Sequence, residues 1–197
     1  MKPRRHLSAL AVAGVLLVSP AGARGAHAHE VPVPGRLQAE LFVKILSYDR
    51  RLPESAGKDV VLGVLVQRHF RASLEAADEL MAGVAALGEP SASEPRLHAV
   101  LVEIDDGAAI GGRLDELGVE VLYVTPLRAV AVAEIVAAAR SRGVRTLTGV
   151  PDYVRQGLAI GLAVRGDRPE ILVNLAAARG EGAVLSSQLL GMARVLR

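Results

Sequence analysis

Short apolar runs alternate with longer amphipathic stretches along most of the chain, and this alternation constrains the fold more than any other feature. The run at 60–66 is nearly continuous in apolar residues, which is typical of a strand that is buried on both faces of a sheet. Further strands are predicted at 97–104, 119–124 and 145–148. Because a helical stretch separates one strand from the next, the strands are predicted to lie parallel.

Helices are predicted where apolar residues recur at three- and four-residue spacing. The predicted helices span 36–48, 72–87, 108–117 and 128–142, with a final helix or pair of helical turns over 175–196. Gly88, Gly118 and Gly143 follow three of these segments, at the position where a helix commonly ends. Ser73 lies near the start of the second helix, where serine is a common cap. Residues 149–156 are predicted to form a loop.

The last two apolar runs, 158–164 and 170–174, are separated only by the short polar segment 165–169. A connection of this length predicts a hairpin, so these two strands are expected to be antiparallel. Right-handed crossovers then narrow the fold to an α/β three-layer sandwich of the Rossmann-like or flavodoxin-like kind. We expect a mostly parallel sheet of five to six strands, with the antiparallel hairpin and a closing helix at its C-terminal end.

The first 28 residues have the pattern of a secretory signal peptide. A cationic start without acidic residues precedes an apolar run at 7–18, and Ala26 and Ala28 provide the small residues of a cleavage site. The run is shorter than the about 20 residues that a membrane-spanning helix needs. We therefore expect cleavage after Ala28, a periplasmic location, and a single mature domain over 29–197. A membrane-anchored N-terminus is the alternative.

Cleavage would change the charge balance of the protein. The chain has 23 basic and 21 acidic residues, and four of the basic ones (Lys2, Arg4, Arg5 and Arg24) lie in the predicted peptide. The mature domain would then carry 19 basic against 21 acidic residues, a net charge of −2 with neutral histidines. A nucleic-acid-binding surface needs a net basic face with stacking aromatic residues, and only 3% of the chain is aromatic. Nucleic acid is therefore not expected as a partner.

Several kinds of chemistry lack the residues that they require. The chain contains no cysteine, which excludes disulfides, thiol catalysis and thiolate metal ligands. The sequence lacks the glycine-rich fingerprint of dinucleotide-binding proteins and the Walker lysine motif of phosphate-binding loops. It also lacks the Gly-x-Ser-x-Gly motif that carries the nucleophile of many hydrolases. Since no nucleophile and base stand out either, we predict no cofactor, no catalytic residue and no enzymatic activity.

An acidic cluster, Glu103, Asp105 and Asp106, follows the second predicted strand. Carboxylates at the end of a strand could bind a cation or act as acid and base. However, Asp-Asp-Gly is also ordinary chemistry for a turn that leads into a helix. The turn is the favoured interpretation, because a catalytic or metal site needs further polar groups that converge on the same point.

The histidines suggest one metal hypothesis. Cleavage after Ala28 would make His29 the N-terminal residue, and its amine and imidazole could chelate copper together with His69 or His98. The favoured alternative is that the three histidines are unrelated. No other metal site is predicted.

The C-terminal third carries motifs that are specific enough to compare with a family. An apolar strand runs into Asn-Leu-Ala-Ala-Ala-Arg at 174–179, and Ser-Ser-Gln-Leu-Leu-Gly-Met-Ala-Arg-Val follows at 186–195. This order resembles the end of the YfiR-like periplasmic proteins, in which "N-L-x-x-A-R" is followed by "S-S-x-L-L-x-x-A-R-V". The opening helix and the first strand are also similar to that family. The signature residues are Asn174, Leu175, Arg179, Ser186, Ser187, Leu190 and Arg194.

These signature residues are interpreted mainly as structural. Asn174 can cap the turn after the last strand, and the pair Ser186 and Ser187 can cap the final helix. Arg179 can reach carbonyl groups or a carboxylate. Contact with a partner is the alternative role.

The resemblance implies a regulatory function. Members of this family repress an inner-membrane diguanylate cyclase by binding its periplasmic sensor region, commonly as homodimers, and an outer-membrane lipoprotein is a second partner. The chain departs from the family in lacking the cysteines associated with redox control. It also has Gln67-Arg68-His69-Phe70 in place of a glycine-containing turn. The alternative function is a periplasmic protein that binds a small ligand or copper.

Overall fold

The computed structural model describes residues 31–52, 59–105, 110–128 and 130–196. The strands are β1 (Asp59–Gln67), β2 (Arg96–Ile104), β3 (Val121–Val124), β4 (Arg145–Thr148), β5 (Ile160–Arg165), β6 (Arg168–Asn174) and β7 (Arg194–Leu196). The helices are α1 (Gly35–Leu46), α2 (Arg71–Ala85), α3 (Ile110–Glu116), α4 (Val132–Arg140), α5 (Pro151–Arg155), α6 (Leu175–Gly180) and α7 (Ser187–Met192). Among these helices, none has the length and hydropathy that crossing a membrane requires.

All seven strands belong to one sheet with the order β2-β1-β3-β4-β5-β6-β7. The first five strands of this order are parallel, β6 is antiparallel to β5, and β7 is parallel to β6. The order 2-1-3-4-5 is that of flavodoxin-like folds, in which the connections leave β1 in one direction and β3 in the other. The α/β class, the mostly parallel sheet and the antiparallel hairpin are confirmed.

Two apolar cores, one on each face of the sheet, make the fold a three-layer sandwich. β1 contributes Val60, Leu62, Val64 and Val66 to the core under α1, α2 and the C-terminal helices, and Leu65 to the core under α3 and α4. Successive residues of a strand point to opposite faces, so a strand between two helical layers must be apolar at nearly every position. For this reason β1 is visible in the sequence as a continuous apolar run, without the alternation of apolar and polar residues that a half-buried strand shows.

The contact between α1 and α2 depends on two glycines. A β-carbon at Gly35 would lie 2.6 Å from the Glu79 backbone, and one at Gly83 would lie 2.8 Å from the Gly35 carbonyl oxygen. Both distances are shorter than a van der Waals contact, so a side chain at either position would push the helices apart. The two backbones can approach this closely only because both positions lack a side chain.

Two local predictions were wrong, and a third was incomplete. The predicted loop 149–156 contains α5, which begins at Pro151 and is too short to show helical periodicity in the sequence. Of the two alternatives predicted for 175–196, the pair of short helices forms, but the segment ends in β7, a three-residue strand that was not predicted and that hydrogen-bonds to β6. Ser73 does not cap α2, because the residue before the helix is Phe70 and the Ser73 hydroxyl accepts a hydrogen bond from Gln67 N.

Candidate functional site

The carboxyl ends of β1 and β3 form the topological switch point, where ligands bind in many open α/β sheets. Here hydrogen bonds within the protein join the two ends. Gln67 Nε2 donates to the Arg128 carbonyl oxygen, and Arg128 N donates to Gln67 Oε1, both over 2.8 Å. Beneath them, Thr125 Oγ1 donates to the Leu65 carbonyl oxygen and lies 2.6 Å from Ser73 Oγ. These polar groups are therefore already paired, and the crevice is bridged by the protein itself.

The predicted acidic cluster lies beside this switch point. Glu103 forms an ion pair with Arg68, and both side chains are about half exposed. Asp105 is exposed, and Asp106 lies outside the described residues. Within the parts of the chain that the structure describes, no group of three or more His, Asp or Glu side chains could hold a metal ion. Glu103 is thus partnered by a cation.

The histidines of the copper hypothesis are far apart where the structure describes them. His98 is aligned with Val61 near the start of β1, whereas His69 follows Gln67 at the end of the same strand. Six residues of strand separate these levels, which corresponds to about 20 Å. His69 and His98 therefore cannot share one ion. His29 lies outside the described residues, so its pairing with either histidine stays a prediction.

Among the signature residues, Asn174 and Ser186 act as helix caps. Asn174 Oδ1 accepts a hydrogen bond from Ala177 N over 3.0 Å at the start of α6, and its Nδ2 donates to the Val154 carbonyl oxygen over 3.1 Å. Ser186 Oγ accepts from Leu189 N over 3.3 Å at the start of α7. Ser187 is exposed as the first residue of that helix. Two residues of the motif, Asn174 and Ser186, therefore provide the hydrogen bonds that cap the starts of α6 and α7.

The remaining signature residues occupy different surroundings. Leu175 and Leu190 are partly buried, and Arg194 Nη1 lies 3.7 Å from Glu170 Oε2 on the neighbouring strand. Arg179 is exposed at the end of α6, and no carboxylate of the described residues lies within ion-pair distance of it. The expected bond from Arg179 to a carbonyl or carboxylate is thus not formed within the described chain.

Two buried carboxylates that were not predicted fix the segment after α6 to the rest of the fold. Asp49 is 1% exposed and accepts hydrogen bonds from Val184 N over 2.8 Å, from Arg51 N over 3.1 Å and from Arg145 Nε over 3.1 Å. An isolated bridge between Asp49 and Leu185 lies at the same place. Asp49 therefore joins α1, β4 and the C-terminal segment.

Glu181 is the second of these carboxylates and is also 1% exposed. Its Oε2 accepts from Thr146 N over 2.8 Å and its Oε1 from Thr146 Oγ1 over 2.6 Å, while Thr146 Oγ1 accepts from Ala159 N. Burial raises the pKa of Glu181 to about 7, although the hydrogen bonds from Thr146 and the charges of Arg140 and Arg145 oppose the increase. The sequence contains no signal for this burial, because an acid between Gly180 and Gly182 is equally typical of a solvated turn.

Open surfaces occur elsewhere on the molecule. A groove of about 640 Å³ lies between the C-terminal halves of α1 and α2 and the segment before β2, with Val43, Val84 and Leu97 among its lining and Lys44 and Glu94 at its polar positions. The large apolar side chains that are exposed in the described residues belong to five different parts of the chain: Leu74, Leu101, Val164, Val184 and Met192.

One family model matches most of the chain. The model described as YfiR/HmsC-like matches residues 35–194, which include the first C-terminal motif, the second up to Arg194, and nearly all of the described fold. The chain belongs to the YfiR/HmsC-like family. The resemblance inferred from the last 40 or so residues is thereby confirmed and extends from α1 to β7. No curated protein matches the chain.

Solved structures share the fold at low sequence identity. The ABC domain in complex with L-Trp from Streptococcus pneumonia has a TM-score of 0.60 and 14% identity, over 83% of this chain and 62% of that chain. A conserved domain protein from Vibrio cholerae gives 0.60 and 13%, over 83% and 60%. A ligand-free, open substrate binding protein with adhesive properties from Clostridium difficile gives 0.54 and 15%, over 74% and 57%. The YfiR/HmsC-like chain thus spans about three fifths of the length of these proteins.

Proposed function

We propose that this protein is a periplasmic regulator that binds the sensor region of an inner-membrane signalling protein, a diguanylate cyclase, and holds it inactive. The observation that carries the proposal is the match of the YfiR/HmsC-like model over residues 35–194. A regulator of this kind acts through its surface and needs no catalytic residues. A homodimer and an outer-membrane lipoprotein as second partner belong to the same proposal.

The C-terminal segment is the surface that best suits a binding role. Asp49 and Glu181 hold it against the core from the inside, whereas Arg179, Val184 and Met192 are exposed on its outside. A segment that is fixed before binding loses little conformational entropy when a partner docks on it. The signature motif thus supports binding by shaping this surface, even where its residues act as caps.

A small-ligand function has less support. Identities of 13–15% to the solved structures show the fold alone, so the L-Trp of the Streptococcus pneumonia domain gives no ligand for this chain. The switch point, where such a ligand is most often found, is bridged by Gln67 and Arg128. Copper binding rests on His29 alone. A spectroscopic copper titration of the processed protein against His29→Ala tests it, and equal binding by both would end the hypothesis.

Export is tested separately from regulation. We expect a fusion of residues 1–35 to alkaline phosphatase to be active in cells, because this enzyme requires the oxidising periplasm to form its disulfides. N-terminal sequencing of the secreted fusion should begin at His29. An inactive fusion that stays in the cytoplasm would contradict the periplasmic proposal.

Regulation is tested in cells by capturing the partner and measuring the product of its reaction. Tagged protein is crosslinked in the periplasm and the captured proteins are determined by mass spectrometry. We expect one inner-membrane cyclase to be enriched, and we expect deletion of the regulator to raise cyclic di-GMP. Complementation should restore the lower level. If the folded, exported bait enriches no membrane protein and the deletion leaves cyclic di-GMP unchanged, the regulatory proposal is wrong.

A further inference from the structure

Four arginines gather around α6 and the segment that follows it. Arg179 lies in α6 itself, and a β-carbon at Gly180 would lie 2.8 Å from Nε of Arg140 at the end of α4. Arg51 Nη1 donates to the Gly182 carbonyl oxygen over 3.5 Å, and Arg50 N donates to the Val184 carbonyl oxygen over 3.0 Å. All four side chains are exposed. We refer to Arg50, Arg51, Arg140 and Arg179 as the arginine patch.

None of the four arginines of the patch forms an ion pair with an acid of the described residues. Sixteen arginines lie in the described ranges, and ten of them have a carboxylate within 4.0 Å. Of the six others, four form the patch. Asp49 precedes Arg50 in the chain and Glu181 follows α6, and both carboxylates are turned inward to Arg145, Thr146 and backbone N–H groups. The patch therefore presents a concentrated positive charge that no described acid neutralises at the surface.

A single apolar side chain accompanies this charge. Val184 is 38% exposed, and its backbone is fixed on both sides by Arg50 N and by the Asp49 carboxylate. Asp49 and Glu181 tie the segments that carry Arg50, Arg51 and Val184 to β4, so this part of the patch has a fixed support. Guanidinium groups on such a fixed support suit carboxylates, which they can bind through two parallel hydrogen bonds.

We propose that the arginine patch is the docking site for an acidic segment of the regulated membrane protein, with Asp or Glu side chains on the guanidinium groups and an apolar side chain against Val184. The inference rests on the proposed function, since the partner is the protein that the regulator represses. Charge complementarity of this kind steers association and selects the partner. It also makes the complex sensitive to salt.

A protein segment suits the patch better than an anionic membrane surface does. Proteins that bind at a membrane interface insert aromatic and large apolar side chains between the lipid headgroups. Val184 is the one exposed large apolar side chain that the hydrogen bonds above place in the patch, which is too little apolar surface for insertion. Binding to lipid is nevertheless an outcome that the experiment distinguishes.

The cellular experiment compares three versions of the tagged, full-length protein. The patch variant carries Arg50→Gln, Arg51→Gln and Arg179→Gln, leaving Arg140 because it neighbours Glu181. The control variant removes three exposed arginines elsewhere: Arg36→Gln, Arg71→Gln and Arg128→Gln. We expect the wild type and the control to capture the same membrane protein and the patch variant to lose it. If all three capture it equally, the regulatory function stands and the docking inference is overturned. If none captures a membrane protein, the proposed function itself fails.

A binding assay with purified protein identifies the chemistry. Fluorescence anisotropy with a short fluorescein-labelled oligoglutamate should show binding at low salt that weakens about tenfold in the patch variant and much less in the control. Equal loss in both variants, or no binding by the wild type, would refute a specific acidic docking site. Sedimentation with vesicles of phosphatidylglycerol and phosphatidylcholine provides the other arm. Patch-dependent binding to these vesicles without binding to oligoglutamate would replace the protein partner with a lipid surface.

Discussion

Replacing Glu181 with glutamine should remove a pH dependence of folding that the wild-type protein has. Burial raises the pKa of this carboxyl group to about 7 in the folded protein, against 4.5 for the same group in solvent. The folded state therefore binds the proton more tightly than the unfolded state does. The contribution of Glu181 to the free energy of unfolding is therefore largest below about pH 4.5. It decreases as the pH rises and levels off above about pH 7.

The size of the effect follows from the difference between the two pKa values. Each pKa unit corresponds to roughly 1.4 kcal/mol, so the contribution of Glu181 to the free energy of unfolding should fall by about 3 kcal/mol across this range. Glutamine is a neutral group of the same shape and resembles the protonated acid. Glu181→Gln should thus be more stable than the wild type at pH 8, by an amount that shrinks towards zero or reverses at pH 5.

Urea unfolding followed by far-ultraviolet circular dichroism measures this difference at pH 5, 6, 7 and 8. The quantity to compare is the difference in unfolding free energy between the wild type and Glu181→Gln at each pH. The other titrating groups are the same in both proteins, so their contributions cancel in this difference. Thr148→Val is a suitable control, because it removes a buried hydroxyl bonded to Val124 and Val150 without touching Glu181. We expect this control to lower stability without changing its pH slope relative to the wild type.

Two results would refute the reasoning. If the difference between the wild type and Glu181→Gln is the same at every pH, the carboxyl group does not change its protonation in this range. If the wild type instead gains stability relative to the variant as the pH rises, the hydrogen bonds from Thr146 and the charges of Arg140 and Arg145 outweigh the cost of burial.

Three further substitutions test the packing around the proposed surface, each by urea unfolding. Asp49→Ala should cost about 3–5 kcal/mol, because it leaves Arg145 and two backbone N–H groups without their acceptor, and limited proteolysis should then cleave the C-terminal segment first. Asn174→Ala should cost about 1–2 kcal/mol through the lost cap of α6 and the lost bond to Val154, and a cost near zero would contradict the cap. Gly83→Ala should cost about 1–3 kcal/mol even though alanine favours a helix, and a gain in stability would show that α1 and α2 can separate freely.

The sequence by itself determined the layers of this protein. The continuous apolar run of β1 predicted a strand buried on both faces, because a strand covered by helices on both faces cannot carry polar residues at alternate positions. β2 lies at the edge of the sheet and keeps His98 and Glu103 exposed, so only its parallel direction followed from the sequence, through the helix that separates it from β1. The polar connection at 165–169 predicted the antiparallel pair β5 and β6. The family motif was visible because its caps are local: Asn174 and Ser186 each bond to a backbone N–H three residues further on.

Short elements escaped prediction because five residues in α5 and three in β7 contain too little periodicity to detect. Their conformation depends on neighbours that are distant in the sequence, and β7 exists only through its hydrogen bonds to β6. The same limit applied to Asp49 and Glu181. Nothing near either residue in the sequence distinguishes a buried carboxylate from a solvated one.

Only the tertiary structure decided which charges are left exposed and unpaired. Arg36 and Arg71 have a glutamate four residues further on, and these local ion pairs can be read from the sequence. Arg50, Arg140 and Arg179 belong to three separate parts of the chain, and the sequence does not show that they come together. Whether folding brings a distant acid within a few ångströms of such an arginine depends on the path of the whole chain. The arginine patch therefore arises where folding turns Asp49 and Glu181 inward and leaves the guanidinium groups around them facing solvent.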